Sequence, residues 1–213
     1  MRFTLVSDGP SDQALIPILM WSLRRHGAEW AIEPQWADPR RIADPPRQLA
    51  PRIRLSLKLY PCELLFIHRD AEAQPLTRRL EEILHAIDEL GGEGAIPPFV
   101  CVVPIRMMEA WLLLDEVAIR AAAGNPNGRD ELNMPPIREL EDIPDPKDVL
   151  HRVLINASGL GARRRRSLNP RRLVYRVAEL IEDFSVLDDI PAFARFDTEL
   201  GRVLRNTGLI TVP

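Results

Sequence analysis

Apolar and polar positions change period several times along this chain, and each change predicts an element. Phe3–Ser7 is a short β-rich run closed by the turn signal Asp8-Gly9-Pro10. Ala14, Leu15, Ile18, Leu19, Ser22 and Leu23 then recur at helical spacing, which predicts a helix over Asp12–His26 with Ser11 as its N-cap. Pro17 deletes the bond to the carbonyl of Gln13, so a kink is expected there. Glu29–Trp36 reads as a second strand weakened by Pro34, and Asp38–Pro51 as irregular. Leu49, Ile53 and Leu57 suggest a helix up to about Tyr60. Leu64–His68 is a continuous apolar run closing on Arg69-Asp70, as expected of a buried parallel strand. Leu80, Ile83, Leu84, Ile87 and Leu90 form the stripe of an amphipathic helix over Leu76–Leu90, ended by Gly91-Gly92. Phe99–Val103 is another buried strand and Glu109–Ala123 is read as helical.

Strand and helix thus alternate over residues 1–124, the pattern of an α/β layer with a mostly parallel sheet. Residues 125–213 change character. Pro146–Ala157, Pro170–Phe184 and Phe193–Leu204 read as helices, the first two opening with Pro at the first helical position. After Val103 the chain offers no strong strand, apart from a short Leu209–Val212 tail. The expectation is a helical C-terminal region packed on the sheet.

Composition narrows the class. The chain has 213 residues, a formal net charge of −3 and 46% hydrophobic residues, which excludes a mainly disordered protein. The apolar run at the N-terminus is too short for a signal peptide, and no stretch approaches the roughly 18 apolar residues of a membrane span. Cys62 and Cys101 make no disulfide framework, so a reducing cytoplasm is the expected home. Every basic residue except Lys58 and Lys147 is Arg. A GC-rich genome accounts for that bias as well as phosphate binding does. The near-neutral balance argues against a uniformly basic coat, not against a local patch.

Ligands of open α/β sheets bind outside the carboxyl ends of the strands. Asp8 ends the first strand and Asp12 lies just beyond it; Asp70 and Glu72 follow the strand Leu64–His68; Glu109 follows Phe99–Val103. If those strands are neighbours, five carboxylates reach one edge. So many must be protonated, dispersed into water or neutralised by a cation. An all-oxygen set suits Mg²⁺ or Mn²⁺ better than zinc. The alternation in a strand-end D-x-E spaces its acids by about 7 Å, enough to address one ion or two ions ~4 Å apart. Such ions bind a phosphodiester and lower the pKa of an attacking water. The plainer reading is that these are solvated acids at helix N-termini, where Asp12 favours its helix dipole.

The acidic-Gly-Pro-Ser-Asp turn after a strand, the helix, and the later strand ending in D-x-E resemble a TOPRIM domain. That family is the Mg²⁺-binding catalytic fold of topoisomerases, primases and the overcoming-lysogenisation-defect nucleases. The block Val103-Pro104-Ile105-Arg106-Met107-Met108-Glu109-Ala110-Trp111-Leu112-Leu113 is similar to one in small bacterial TOPRIM-like proteins that often accompany ATPases in phage-defence loci. The resemblance covers about residues 1–124 and implies a metal-dependent nuclease acting on nucleic acid. Within it, Asp8 stands where the family carries a general acid/base Glu, and Gly9 matches the following Gly. Asp12 resembles the extra acid of the nuclease branch. Asp70 and Glu72 occupy the D-x-D pair, and Glu109 the later acid. The resemblance therefore makes Asp8 and Asp70 the catalytic candidates. It makes Asp8, Asp12, Asp70, Glu72 and Glu109 the metal candidates. Asp8 for Glu shortens the reach by a methylene, and Glu72 replaces an Asp; both keep the charge.

Gly161–Arg176 contains Arg163, Arg164, Arg165, Arg166, Arg171, Arg172 and Arg176 and no acid. Just before a helix start, such a run can grip phosphates; alternatively it is a solvated loop offsetting the acidic stretch Asp130–Asp148. Arg163, Arg164, Arg165, Arg166 and Lys147 are the phosphate-binding candidates. His68-Arg69-Asp70 matches three letters of a kinase catalytic loop, but no Gly-rich phosphate loop or Asp-Phe-Gly accompanies it. His68 reads as a core or site-edge residue, and Trp21, Trp30, Trp36 and Trp111 as packing. Two other classes remain open: a non-catalytic module that binds a partner ATPase or nucleic acid, and a small-molecule phosphotransfer enzyme using the same acids.

Overall fold

A computed structural model describes residues 1–29, 31–38, 41, 44–91 and 95–210. Trp30, Gly92 and the end of the expected 209–212 tail lie outside the described residues. Four strands form one sheet in the order β2-β1-β3-β4, all parallel. They are β1 (Arg2–Val6), β2 (Glu33–Ala37), β3 (Leu64–His68) and β4 (Phe99–Val102). β3 is buried along its whole length, which is why it reads as an unbroken apolar run rather than an alternation. β2 is an edge strand, where Pro34 removes a donor at little cost.

Side-chain alternation divides the sheet into two faces. Phe3, Leu5, Leu64, Phe66, Val100 and Val102 share one buried cluster with α1 (Leu15–Arg25) and the later helices. Val6, Leu65, Ile67 and Cys101 share the other with α2 (Leu49–Leu59) and α3 (Leu76–Leu90). The chain moves from β1 outward to β2, then back past β1 to β3 and β4. Right-handed crossovers put helices of opposite travel on opposite faces. The direction reverses between β1 and β3, and the crevice at their carboxyl ends is the place such sheets offer a ligand.

Several local expectations are corrected. Pro10–Ala14 is a 3-10 turn, and the α-helix begins only at Leu15. Pro17 therefore falls in the first turn, where its missing N–H has no helical partner to lose, and the kink is not required. Gly9, not Ser11, occupies the cap: Asp12 Oδ2 accepts from Gly9 N at 2.7 Å. Leu84 is 48% exposed, and Ala86 takes its place on the buried stripe of α3. Glu109–Ala123 is not one helix but a 3-10 turn, Met108–Leu112, followed by α4 (Glu116–Ala122). Asp115 enforces the break, since its carboxylate accepts from Ala118 N at 3.0 Å and restarts the chain as a capped helix.

Beyond α4 come α5 (Pro146–Ala157), the single turn α6 (Ala162–Arg165), α7 (Pro170–Leu180) and α8 (Pro191–Thr207). α7 stops at Leu180 rather than Phe184, and α8 starts before Phe193. Apolar residues of α5, α7 and α8 join the same cluster as the first face of the sheet. At its centre Trp111 meets Phe193 edge-on at 5.2 Å and Phe196 at 6.1 Å. Phe66 of β3 lies 6.3 Å from Phe196. Edge-on aromatic pairs of this kind add about 1 kcal/mol each to their area burial.

Candidate active site at the carboxyl edge of the sheet

The sequence-predicted acids do reach the carboxyl edge, but they separate into two groups. Asp12, on the 3-10 turn after β1, is 4% exposed; Glu109, on the 3-10 turn after β4, is 1% exposed. Between them Asp70 leaves the end of β3 and accepts from Met108 N at 2.9 Å. That bond ties the loop after β3 to the turn carrying Glu109. Burial pushes the Asp70 carboxyl up from its ordinary value to about 6, helped by the charges of Asp12 and Glu109 and opposed by His68 and the Met108 N–H.

His68 completes this group. Its Nδ1 lies 2.9 Å from the Val102 carbonyl and must carry the hydrogen of that bond. In the neutral ring Nε2 is then an acceptor, yet it faces Asp70 Oδ1 at 3.4 Å and Asp12 Oδ2 at 3.9 Å. Nε2 is buried without a hydrogen bond. Three acceptors turned toward one another call for a proton or a cation between them. Glu109 Oε1 is likewise buried without a hydrogen bond, and Lys147 Nζ stands 3.1 Å away as its counter-charge.

Asp8 and Glu72 belong to the other group. Asp8 is held by Arg52 and by Arg69, whose Nε lies 2.6 Å from Oδ2. Glu72 is exposed and paired with Arg79 at 2.9 Å. Its backbone has φ 53°, a left-handed conformation, and its N–H bonds the Arg106 carbonyl at 2.8 Å. The turn that this conformation makes sends Glu72 toward α3 and away from Asp70. The straight alternation expected of D-x-E does not extend past the strand.

A cleft of about 660 Å³ opens over Glu109. Gly9, Pro10, Ser11 and Gln13 form one wall; Lys147 and His151 of α5, with Arg171, Arg172 and Tyr175 of α7, form the other. His151 Nε2 is buried without a hydrogen bond, and its pKa is lowered by desolvation, against the pull of Glu109. The cleft therefore has one carboxylate, Glu109, at its floor and a basic wall; Asp12 and Asp70 are not among its lining residues. Of the sequence-predicted phosphate ligands Lys147 lines it; Arg163, Arg164, Arg165 and Arg166 are exposed on and beside α6 and are not among its lining residues. Arg171 and Arg172 take that place. They belong to the same Arg-rich stretch, but the turn before α7 puts its later members at the cleft.

His151 and Tyr175 carried no signal of their own in the sequence, and Arg171 and Arg172 were legible only as members of the Arg-rich stretch. Lys147 and His151 are four apart on α5, hence on one face of it, and that spacing was the available clue. Among the described residues no group of three or more His, Cys, Asp or Glu stands as a metal-ligand set. The unpartnered His68 Nε2 and the oxygen-rich donors around it nevertheless fit a hard cation, which at Glu109 would compete with the Lys147 ammonium. Asp12, Asp70 and Glu109 fit it; Asp8 and Glu72, occupied by guanidinium groups, do not. Neither cysteine is a nucleophile candidate, since burial pushes the Cys101 thiol up to about 11 and raises that of Cys62.

A further cavity of about 300 Å³, between Leu132 and Asn156, has Arg152 as its ionisable lining residue and offers no comparable chemistry. No helix of the described residues is long and apolar enough to cross a membrane. Compared with protein-family models, curated proteins and solved structures, the chain has no match.

Proposed function

We propose that the cleft is the active site of a TOPRIM-like, Mg²⁺- or Mn²⁺-dependent nuclease acting on nucleic-acid phosphodiesters. The observation that carries this reading is that Glu109, the carboxylate lining the cleft, adjoins the buried acids Asp12 and Asp70 and faces a basic wall of Lys147, Arg171 and Arg172. A phosphate cannot approach the floor alone, and a cation alone has no use for the wall. Asp12, Asp70 and Glu109 would hold a divalent ion beside that wall, and the ion would supply polarisation of a phosphate and acidification of an attacking water. The chain's own part is positional. Arg171 and Arg172 offer forked donors to the non-bridging oxygens, and Lys147 a mobile point charge. Asp70, held above the usual carboxylate range while no ion is bound, would give up its proton on taking one, so ion binding should strengthen as pH rises through about 6.

The test is calorimetric titration of Mn²⁺ into wild type, Asp70→Asn and Glu109→Gln, with cleavage of labelled single- and double-stranded oligonucleotides alongside. Saturable binding and cleavage, both lost in the variants, are expected. Mn²⁺ binding without cleavage of any strand would favour a phosphotransfer enzyme for small substrates.

One observation favours a second reading. Lys147 already places a positive charge at Glu109, which would let the floor persist without a metal. A non-catalytic module binding nucleic acid or a partner ATPase would then keep the fold and the basic wall but show no turnover and no Mn²⁺ binding.

A further inference from the structure

Beside the acidic cleft lies a second chamber of about 370 Å³. The two share Gln13 and Tyr175 as lining residues, so they adjoin along a common wall. Their linings differ in kind. The cleft presents charge, whereas the chamber brings the rings of Trp36, Tyr60 and Tyr175 together with the amides of Gln13 and Gln35 and the guanidinium of Arg41. All three aromatic residues are half-buried. Trp36 is pinned by its inner edge, its Nε1 donating to Ser7 Oγ at 3.1 Å. The Gln35 amide meets Thr4 Oγ1 at 3.1 Å, and that hydroxyl donates to the Tyr60 carbonyl at 2.8 Å. Trp36 and Gln35 lie on β2, the edge strand of the sheet among the described residues.

Aromatic faces ringed by amides and a guanidinium are the surroundings in which proteins hold an unstacked nucleobase. An aliphatic ligand would make no use of the amides or of Arg41, whose exposed guanidinium faces Asp38 at 3.9 Å, and a bare phosphate would make no use of the rings. We infer that this chamber takes one nucleobase of a strand whose backbone phosphate lies in the neighbouring cleft. The inference rests on the phosphodiester reading and adds the state of the strand to it. A base inside a duplex is stacked on both faces and cannot enter, so the substrate is single-stranded or frayed at this point.

The experiment compares binding of a short single-stranded oligonucleotide, a sugar-phosphate strand of equal length and charge without bases, and the corresponding duplex, each labelled at one end. Wild type should bind the base-bearing single strand about tenfold more tightly than the abasic strand. Tyr60→Leu and Arg41→Ala should remove that preference while leaving the abasic strand bound as before. Trp36→Leu should act in the same direction, with its circular dichroism and melting curve checked because the indole also packs on the core. Equal binding of base-bearing and abasic strands by wild type would overturn the chamber and leave the backbone reading intact. A preference that survives Tyr60→Leu and Arg41→Ala would also overturn it. Binding of none of the strands would overturn the phosphodiester reading, and the chamber with it.

Discussion

Asp8 and Asp12 are one turn apart in the chain and have opposite fates. Asp8 is gripped by Arg52 and Arg69, and its charge is balanced within the protein. Asp12 is buried, caps Gly9, and shares a pocket of negative charge with Asp70 and Glu109. The same contrast separates Glu72, paired with Arg79, from Asp70, two residues before it. An acid at a strand end says little by itself. What marks a ligand site is an acid whose balancing charge the chain has not fully supplied.

Four substitutions test that contrast, beginning with the largest expected effect. Asp70→Asn should weaken Mn²⁺ binding by about 100-fold or more, because ligand charge sets the affinity of oxygen sites. Asp8→Asn should leave it within a few-fold. Equal losses in both, measured by calorimetry, would falsify the division into two groups.

The next effect concerns pH. Asp70 titrates near 6 in the folded chain against an ordinary value of 3.8. The unfolded chain therefore releases this proton first as pH rises, and the folded state loses stability between about pH 4 and pH 6.5. In metal-free wild type the loss attributable to this group should be about 2 kcal/mol, after allowance for partial solvent access. Asp70→Asn should remove that slope and melt higher than wild type at pH 8. A variant with an unchanged pH slope would locate the strain elsewhere.

Lys147→Met comes third. It leaves Glu109 buried without its counter-charge and should cost about 1–2 kcal/mol at pH 8 without metal. Mn²⁺ should then bind about tenfold more tightly, since it no longer competes with an ammonium for Glu109. Weaker Mn²⁺ binding in this variant would mean that Lys147 does not oppose the ion. The smallest effect is expected from Glu72→Gln. The pair of this exposed carboxylate with Arg79 should be worth less than about 1 kcal/mol by thermal melting, with Mn²⁺ affinity unchanged.

The sequence carried the sheet well. Leu64–His68 and Phe99–Val102 could be read as buried strands because burial on both faces leaves an unbroken apolar run. It carried the helices nearly as well where Pro marks a start, as at Pro146 and Pro170. It was weaker over residues 108–115, where helical spacing runs through a change of helix type that only the Asp115 cap reveals. For the site, the strand-end positions of Asp12, Asp70 and Glu109 were legible, because strand ends are a matter of local pattern. The sealing of Asp8 and Glu72 was not, since Arg52 and Arg79 come from helices on the far face of the sheet. Nor was the basic wall. A run of Arg gives composition, and only the angle between α6 and α7 decides which Arg reaches the cleft.

Glu109 and Trp111 stand two residues apart on one short 3-10 turn. The first looks into the cleft; the second is wedged against Phe193 and Phe196 of α8. The aromatic core thereby acts as a ruler for the carboxylate. A change in α8, far along the chain from every acid at the sheet edge, would reach Glu109 through Trp111. Variation at Phe193 or Phe196 is thus a route by which the chain can retune this cleft without touching a single charged group in it.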